Sequence, residues 1–221
     1  MAIDKENNAE IKYVYVILTR TNTGFANTIR RIMRRKYNHA SISFTSDFKD
    51  IYAFARYQHK TPILAGLVRE YPDRLTLKKR NDIACMIYKV PVTEEDYKNG
   101  LKKIKEIIDD PEGYLYNLFS VLSYPVTRGF STYKAFSCSE FVAYLLRYMN
   151  INLGDKKTCS YTPWQLSETL DEYKYYEGDL IPLISECVPD GKDYFSGVNF
   201  FYVTGSSVKT LVKLLYRKCH R

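Results

Sequence analysis

At 221 residues the chain is long enough to bury one substantial core, and its 45% hydrophobic and 26% charged residues exclude a disordered or fibrous polymer. A formal net charge of +8 would attract anionic lipid, nucleic acid or an acidic substrate without choosing among them. The five cysteines, Cys85, Cys138, Cys159, Cys187 and Cys219, are odd in number and contain no Cys-x-x-Cys pair, which argues against a disulfide framework or a four-ligand zinc site and fits a reducing cytoplasm.

No stretch reaches the roughly 18 uninterrupted apolar residues of a membrane span. Met1 to Asn8 lacks the layout of a signal peptide, so a cytoplasmic chain is expected. Residues 1–11 are polar and read as a flexible tail. Tyr13 to Thr19 is β-branched and aromatic and reads as a central strand. Thr23 to Lys36 reads as a helix with Ile29, Ile32 and Met33 on one face and Arg30, Arg31, Arg34, Arg35 and Lys36 over the rest, chiefly a solvated charged face. From Tyr37 to Phe44 apolar and polar residues alternate, with Ala40, Ile42 and Phe44 on one side and His39, Ser41 and Ser43 on the other. A turn at 46–50 leads into a second strand, Ile51 to Arg56, giving a hairpin.

Leu64 to Arg69 and Asp82 to Val90 read as further strands, the latter placing Cys85 in the core. Thr93 is an N-cap followed by Glu94, Glu95 and Asp96, where negative charge is favoured. The helix it opens carries Tyr97, Leu101, Ile104 and Ile108 as its apolar stripe and ends at Asp109-Asp110-Pro111. Tyr114 to Leu122 reads as helical or partly helical. Thr162-Pro163-Trp164-Gln165 is a capping box with proline at the first helical position. Tyr173 to Glu177 and Asn199 to Thr204 read as strands. Ser206 or Ser207 caps a last helix with Val208, Leu211, Val212 and Leu215 on one side and Lys209, Lys213, Arg217 and Lys218 on the other; packing on the body of the protein is the favoured role and a membrane-surface or partner helix the lesser one. The whole reads as one α+β domain over residues 1–221, an antiparallel sheet packed against helices, with 181–221 as a C-terminal extension on the core.

The stretch that concentrates chemistry is Phe136-Ser137-Cys138-Ser139-Glu140-Phe141-Val142. Ser137 and Glu140 form a capping box, and Phe141, Val142, Leu145, Leu146 and Met149 follow at helical spacing. Cys138 is then the first residue of a helix, where unpaired N–H groups and the positive dipole end favour a thiolate. Of the three histidines, His220 sits at the C-terminus and His59 among charged residues at a strand end. His39 opens a strand, and a helix-start thiol with a strand-start imidazole is what a thiolate–imidazolium pair requires.

His-Ala-Ser-Ile-Ser-Phe at 39–44 together with Phe-Ser-Cys-Ser-Glu-Phe-Val at 136–142 resembles the circularly permuted branch of the NlpC-type papain-like cysteine hydrolases, which includes lecithin retinol acyltransferase-like proteins. Tyr-Ala-Phe-Ala-Arg at 52–56 is similar to a strand of bacterial members. The resemblance spans roughly residues 13–170. It implies a papain-like core with the histidine strand ahead of the cysteine helix, Cys138 as nucleophile, His39 as general base and an acyl-enzyme formed on an amide or ester. The backbone N–H of Cys138 would donate to the oxyanion. The family also implies a third polar residue orienting the imidazole. Arg56 cannot accept the ring N–H, so Gln58 and Tyr52 are the candidates.

The expected function is therefore a cysteine hydrolase cleaving a peptidoglycan-like or γ-glutamyl amide, or an ester, without cofactor or metal. The alternatives are a lipid-directed acyltransferase or thioesterase, and a catalytically weak module that uses its basic surface to bind membrane or nucleic acid. The expected partners are a small peptide, muropeptide-like or lipid substrate and an anionic membrane surface; nucleic acid is the least favoured.

Overall fold

The computed structural model describes residues 11–21, 36–61, 63–187 and 194–220. The polar tail up to residue 10 and almost all of the basic helix expected over Thr23 to Lys36 lie outside the described residues. The expected α+β class, an antiparallel sheet packed with helices, is what the chain forms. Among the described residues the sheet has six strands: β1 Ile11–Thr19, β2 His39–Ser43, β3 Ile51–Arg56, β4 Ala65–Arg69, β5 Ala84–Thr93 and β8 Lys174–Asp179. Their order is β4-β3-β2-β1-β5-β8, and every neighbouring pair is antiparallel. Antiparallel connections join β1 to β4 in sequence, and the chain then crosses from β4 at one edge, past β3, β2 and β1, to enter β5 parallel to β4. A second, parallel pair of two-residue strands joins β6 Leu115–Tyr116 to β7 Ala135–Phe136.

The helices among the described residues are α1 Pro72–Thr76, α2 Glu94–Ile108, α3 Leu118–Thr127, α4 Cys138–Tyr148, α5 Pro163–Thr169 and α6 Phe200–Cys219. Alternation along β1 sends Val14, Val16 and Leu18 to one apolar cluster and Tyr15 and Ile17 to another. The first cluster is closed by α4, whose Phe141, Val142, Leu145, Leu146 and Met149 are all fully buried. The second is closed by Leu75 of α1 and by Leu180, Ile184, Cys187 and Tyr194.

Local signals placed several boundaries. Thr93 caps α2 by accepting from the Asp96 N–H at 3.1 Å. Thr162 and Gln165 form the expected reciprocal cap of α5. The stripe of α2 is rotated from the expected one. Gly100, Ile104 and Ile107 are buried, whereas Leu101 and Ile108 are exposed. A Cβ at Gly100 would run into Met149 and Phe44, so the glycine lets α2 approach the sheet and α4 closely.

Tyr114 to Leu122 is helical in part: Leu115 and Tyr116 pair with Ala135 and Phe136 before α3 begins. Another expectation is corrected. Asn199 to Thr204 is not a strand, and Ser206 and Ser207 cap nothing. Asn199 accepts from the Phe201 and Tyr202 N–H groups and starts a 20-residue helix at Phe200. The aromatic run there has strand propensity, and a capping side chain with a long apolar repeat outweighs it.

Candidate functional site

The site is built from the start of α4, the start of β2, the residue after β4, helix α1 and strand β6. At α4, Ser137 Oγ accepts from the Glu140 N–H and Glu140 Oε2 accepts from the Ser137 N–H, both at 3.2 Å. This reciprocal cap fixes Cys138 at the first helical position. Ser139 Oγ donates to the Tyr161 carbonyl at 2.6 Å and pins the same turn. Cys138 is only 8% exposed.

His39 opens β2 opposite Thr19 of β1, and its imidazole is hydrogen-bonded to Cys138. Its Nε2 lies 3.0 Å from Glu70 Oε1, which leaves Nδ1 for the sulfur. Glu70 extends β4 by one residue, its N–H donating to the Ile51 carbonyl at 2.8 Å. The second carboxylate oxygen accepts from Arg74 Nε at 2.8 Å, four residues on in α1. Arg74 also donates to the Arg56 carbonyl, and its guanidinium lies 4.4 Å from the centroid of the Tyr194 ring. Glu70 and Arg74 are both buried. The result is a chain of partners, Cys138–His39–Glu70–Arg74, leading from the helix terminus across the sheet.

The electrostatics run the same way at each link. Burial would raise the Glu70 carboxyl, but the Arg74 guanidinium and His39 hold it down at about 2. Burial would also discharge His39, yet its hydrogen bonds to Cys138 and Glu70 push the imidazole up to about 10. At Cys138 burial opposes ionisation, and the His39 hydrogen bond, together with the backbone N–H groups of Ala40 and Ser139, brings the thiol below its ordinary range. Both shifts favour the thiolate–imidazolium form of the pair over the neutral form. Burial drives two other cysteines the opposite way: Cys85 is pushed up to about 12 and Cys187 is also raised. Cys159 is buried in a short 3₁₀ turn.

Tyr116 completes the surroundings of the sulfur. Burial, then the neighbouring thiolate, raises its hydroxyl well above the ordinary tyrosine range, so it stays protonated and donates to Cys138. Next to it, fully buried Asn117 donates to the Phe130 carbonyl at 2.9 Å and to Glu140 Oε2 at 3.3 Å. The strand pair carrying Tyr116 is thereby tied to the cap of the cysteine helix.

Of the residues singled out in sequence, Cys138 and His39 are brought together. Gln58 and Tyr52 are not at the ring. Gln58 gives its amide to Ser196 Oγ at 2.7 Å, and Tyr52 packs half-buried against the first apolar cluster. His59 lies against the rings of Tyr194 and Phe195, and His220 caps α6. Sequence reasoning missed Glu70, Arg74 and Tyr116. The Glu70/Arg74 spacing of four was a readable signal for an ion pair, although it named no partner for His39. Among the described residues no group of three or more His, Cys, Asp or Glu side chains is placed to hold a metal ion. No helix among them is long and apolar enough to cross a membrane. No protein-family model, curated protein or solved structure matches the chain.

Proposed function

We propose that this protein is a cysteine hydrolase or acyltransferase of the circularly permuted papain-like type, acting on an amide or ester through an acyl-enzyme. The observation that carries the reading is the buried Cys138–His39–Glu70 chain, in which one cysteine alone is shifted toward thiolate while Cys85 and Cys187 are shifted away. The order of the histidine strand before the cysteine helix supports the permuted assignment.

In this reading Cys138 Sγ attacks the acyl carbon, and the carbonyl π electrons move onto oxygen. As the first residue of α4, Cys138 has a backbone N–H without an intrahelical acceptor, and that group with the Tyr116 hydroxyl stabilises the oxyanion. The oxyanion collapses, the bond to the leaving group breaks, and His39 delivers its Nδ1 proton to the departing amine or alkoxide. His39 then takes a proton from water or a second acceptor, which attacks the thioester and frees the thiol. Glu70 keeps the imidazole in the productive orientation and stabilises its charge.

The test is alkylation by iodoacetamide as a function of pH, resolved by peptide mass. Free glutathione in the same solution is the reference for an ordinary thiol. Cys138 should react at pH 6, where glutathione does not, and His39→Ala should abolish that difference. Parallel turnover assays on p-nitrophenyl esters and γ-glutamyl anilides should lose activity in Cys138→Ala. A Cys138 that becomes reactive only through about pH 8.5, in step with glutathione, would refute the reading.

A further inference from the structure

Helix α6 sits on the protein with the opposite face from the one its sequence led us to expect. Its underside mixes a buried cation and a serine with the apolar Leu214. Arg217 is buried and donates to the carbonyls of Lys134, Glu112 and Gly113 at 3.0–3.2 Å, Lys213 donates to the Glu112 carbonyl, and Ser207 is buried beside Leu214. Its outer side carries Phe201, Val208, Val212, Leu215 and Tyr216, which are 52–83% exposed. Phe201, Val208, Val212 and Leu215 recur at helical spacing and form one stripe along a rod of about 30 Å. A helix whose role was only to cover the core would bury this stripe and leave its cations in water.

From this we infer that the outer face of α6 is a membrane-surface site, lying in the headgroup region of an anionic bilayer. Charge selects this occupant. The helix contains no Asp or Glu, and its Lys209 and Lys218 are exposed beside the stripe. Two copies of α6 pairing through the stripe would bring lysines together with no acid on either helix to offset them, whereas an anionic lipid surface attracts them all. An amphipathic helix with aromatic and aliphatic residues on one side and lysines at its edges is the form that lies in a bilayer interface. The helix is not apolar enough to cross one. Its anchors, Glu112–Gly113 and Lys134, flank β6 and β7, so attachment would hold the strand pair that leads into Cys138 against the bilayer. The inference does not rest on the catalytic reading.

The experiment is co-sedimentation of the full chain with sucrose-loaded vesicles of phosphatidylcholine alone or mixed with phosphatidylserine. Binding should appear with the mixed vesicles, weaken with added salt and be much lower with phosphatidylcholine alone. Lys209→Glu should lower partitioning by about fivefold or more, and Val212→Asp by about tenfold or more. Both side chains are exposed, so neither change should shift the melting temperature. Cys138→Ala should bind as the wild type does, which separates this result from any failure of the catalytic proposal. Equal binding by Val212→Asp, or no binding to mixed vesicles, would overturn the inference. A solution dimer that Val212→Asp dissolves, without vesicle binding, would assign the stripe to a second copy instead and would equally overturn it.

Discussion

Glu70→Gln is the sharpest perturbation of the site, because it removes a charge while keeping the shape. The carboxyl stands at about 2 against an ordinary 4.5, which corresponds to about 3 kcal/mol of net stabilisation of the carboxylate by Arg74 and His39. The side chain is 3% exposed, so solvent screens little of that. The amide oxygen of a glutamine would still accept from the His39 Nε2–H, so the ring would keep its orientation. A hydrogen bond to a charged group is worth about 1.5–3 kcal/mol, so the population of the thiolate–imidazolium pair should fall about tenfold to a hundredfold relative to the neutral pair. The assay is ultraviolet absorbance of the thiolate against pH, with Cys138→Ala as the blank, alongside the alkylation rate of Cys138 at pH 6. Stability supplies a second readout. Because the folded carboxyl is depressed, its contribution is fully present above about pH 4.5 and is lost as pH falls toward about 2. Glu70→Gln should therefore melt lower than wild type at pH 7, with the gap closing toward pH 2. An unchanged thiolate titration in a folded Glu70→Gln variant would refute the role given to Glu70.

Three further outcomes follow from the packing. Tyr116→Phe should keep the fold and lower acyl transfer by about tenfold or more, as expected for loss of an oxyanion donor; unchanged turnover would remove Tyr116 from the mechanism. Gly100→Ala should cost about 1–3 kcal/mol in a denaturant melt, since the added methyl meets Met149 and Phe44. Glu140 is buried and its carboxyl is pushed up to about 7 by desolvation, against which the Ser137 N–H and Asn117 act. The folded state therefore holds its proton more tightly than the unfolded chain. This group's contribution is fully present below about pH 4.5 and is lost as pH rises to about 7. Glu140→Gln should flatten that part of the stability profile, a change on the order of 3 kcal/mol; an unaltered slope would show that the carboxylate is better solvated than its burial implies.

What the chain declared locally was the start of α2, α4 and α5. Ser137-Cys138-Ser139-Glu140 and Thr162-Pro163-Trp164-Gln165 are complete within four residues, so their hydrogen bonds need no distant partner. Period-two alternation in β2 and the β-branched, aromatic content of β1 were equally legible, because both are properties of neighbouring residues. The face of α2 was not. Leu101 and Ile108 fit the stripe by hydropathy, and the glycine that lets Phe44 and Met149 approach has no side chain to mark it. The same holds for α6, where aromatic residues read as a strand until the capping side chain of Asn199 and the carbonyl acceptors of residues 112–134 are in place.

Sequence by itself determined that Cys138 would sit at a helix N-terminus and His39 at the head of a strand, since capping and alternation are properties of neighbouring residues. Only the tertiary structure decided that Glu70, on a strand separated from that of His39 by β3, supplies the carboxylate, with Arg74 behind it and Tyr116 at the sulfur. Strand order and register are set by how the apolar sides of all the elements bury together. The electrostatic partners of a residue are fixed only when that global packing is.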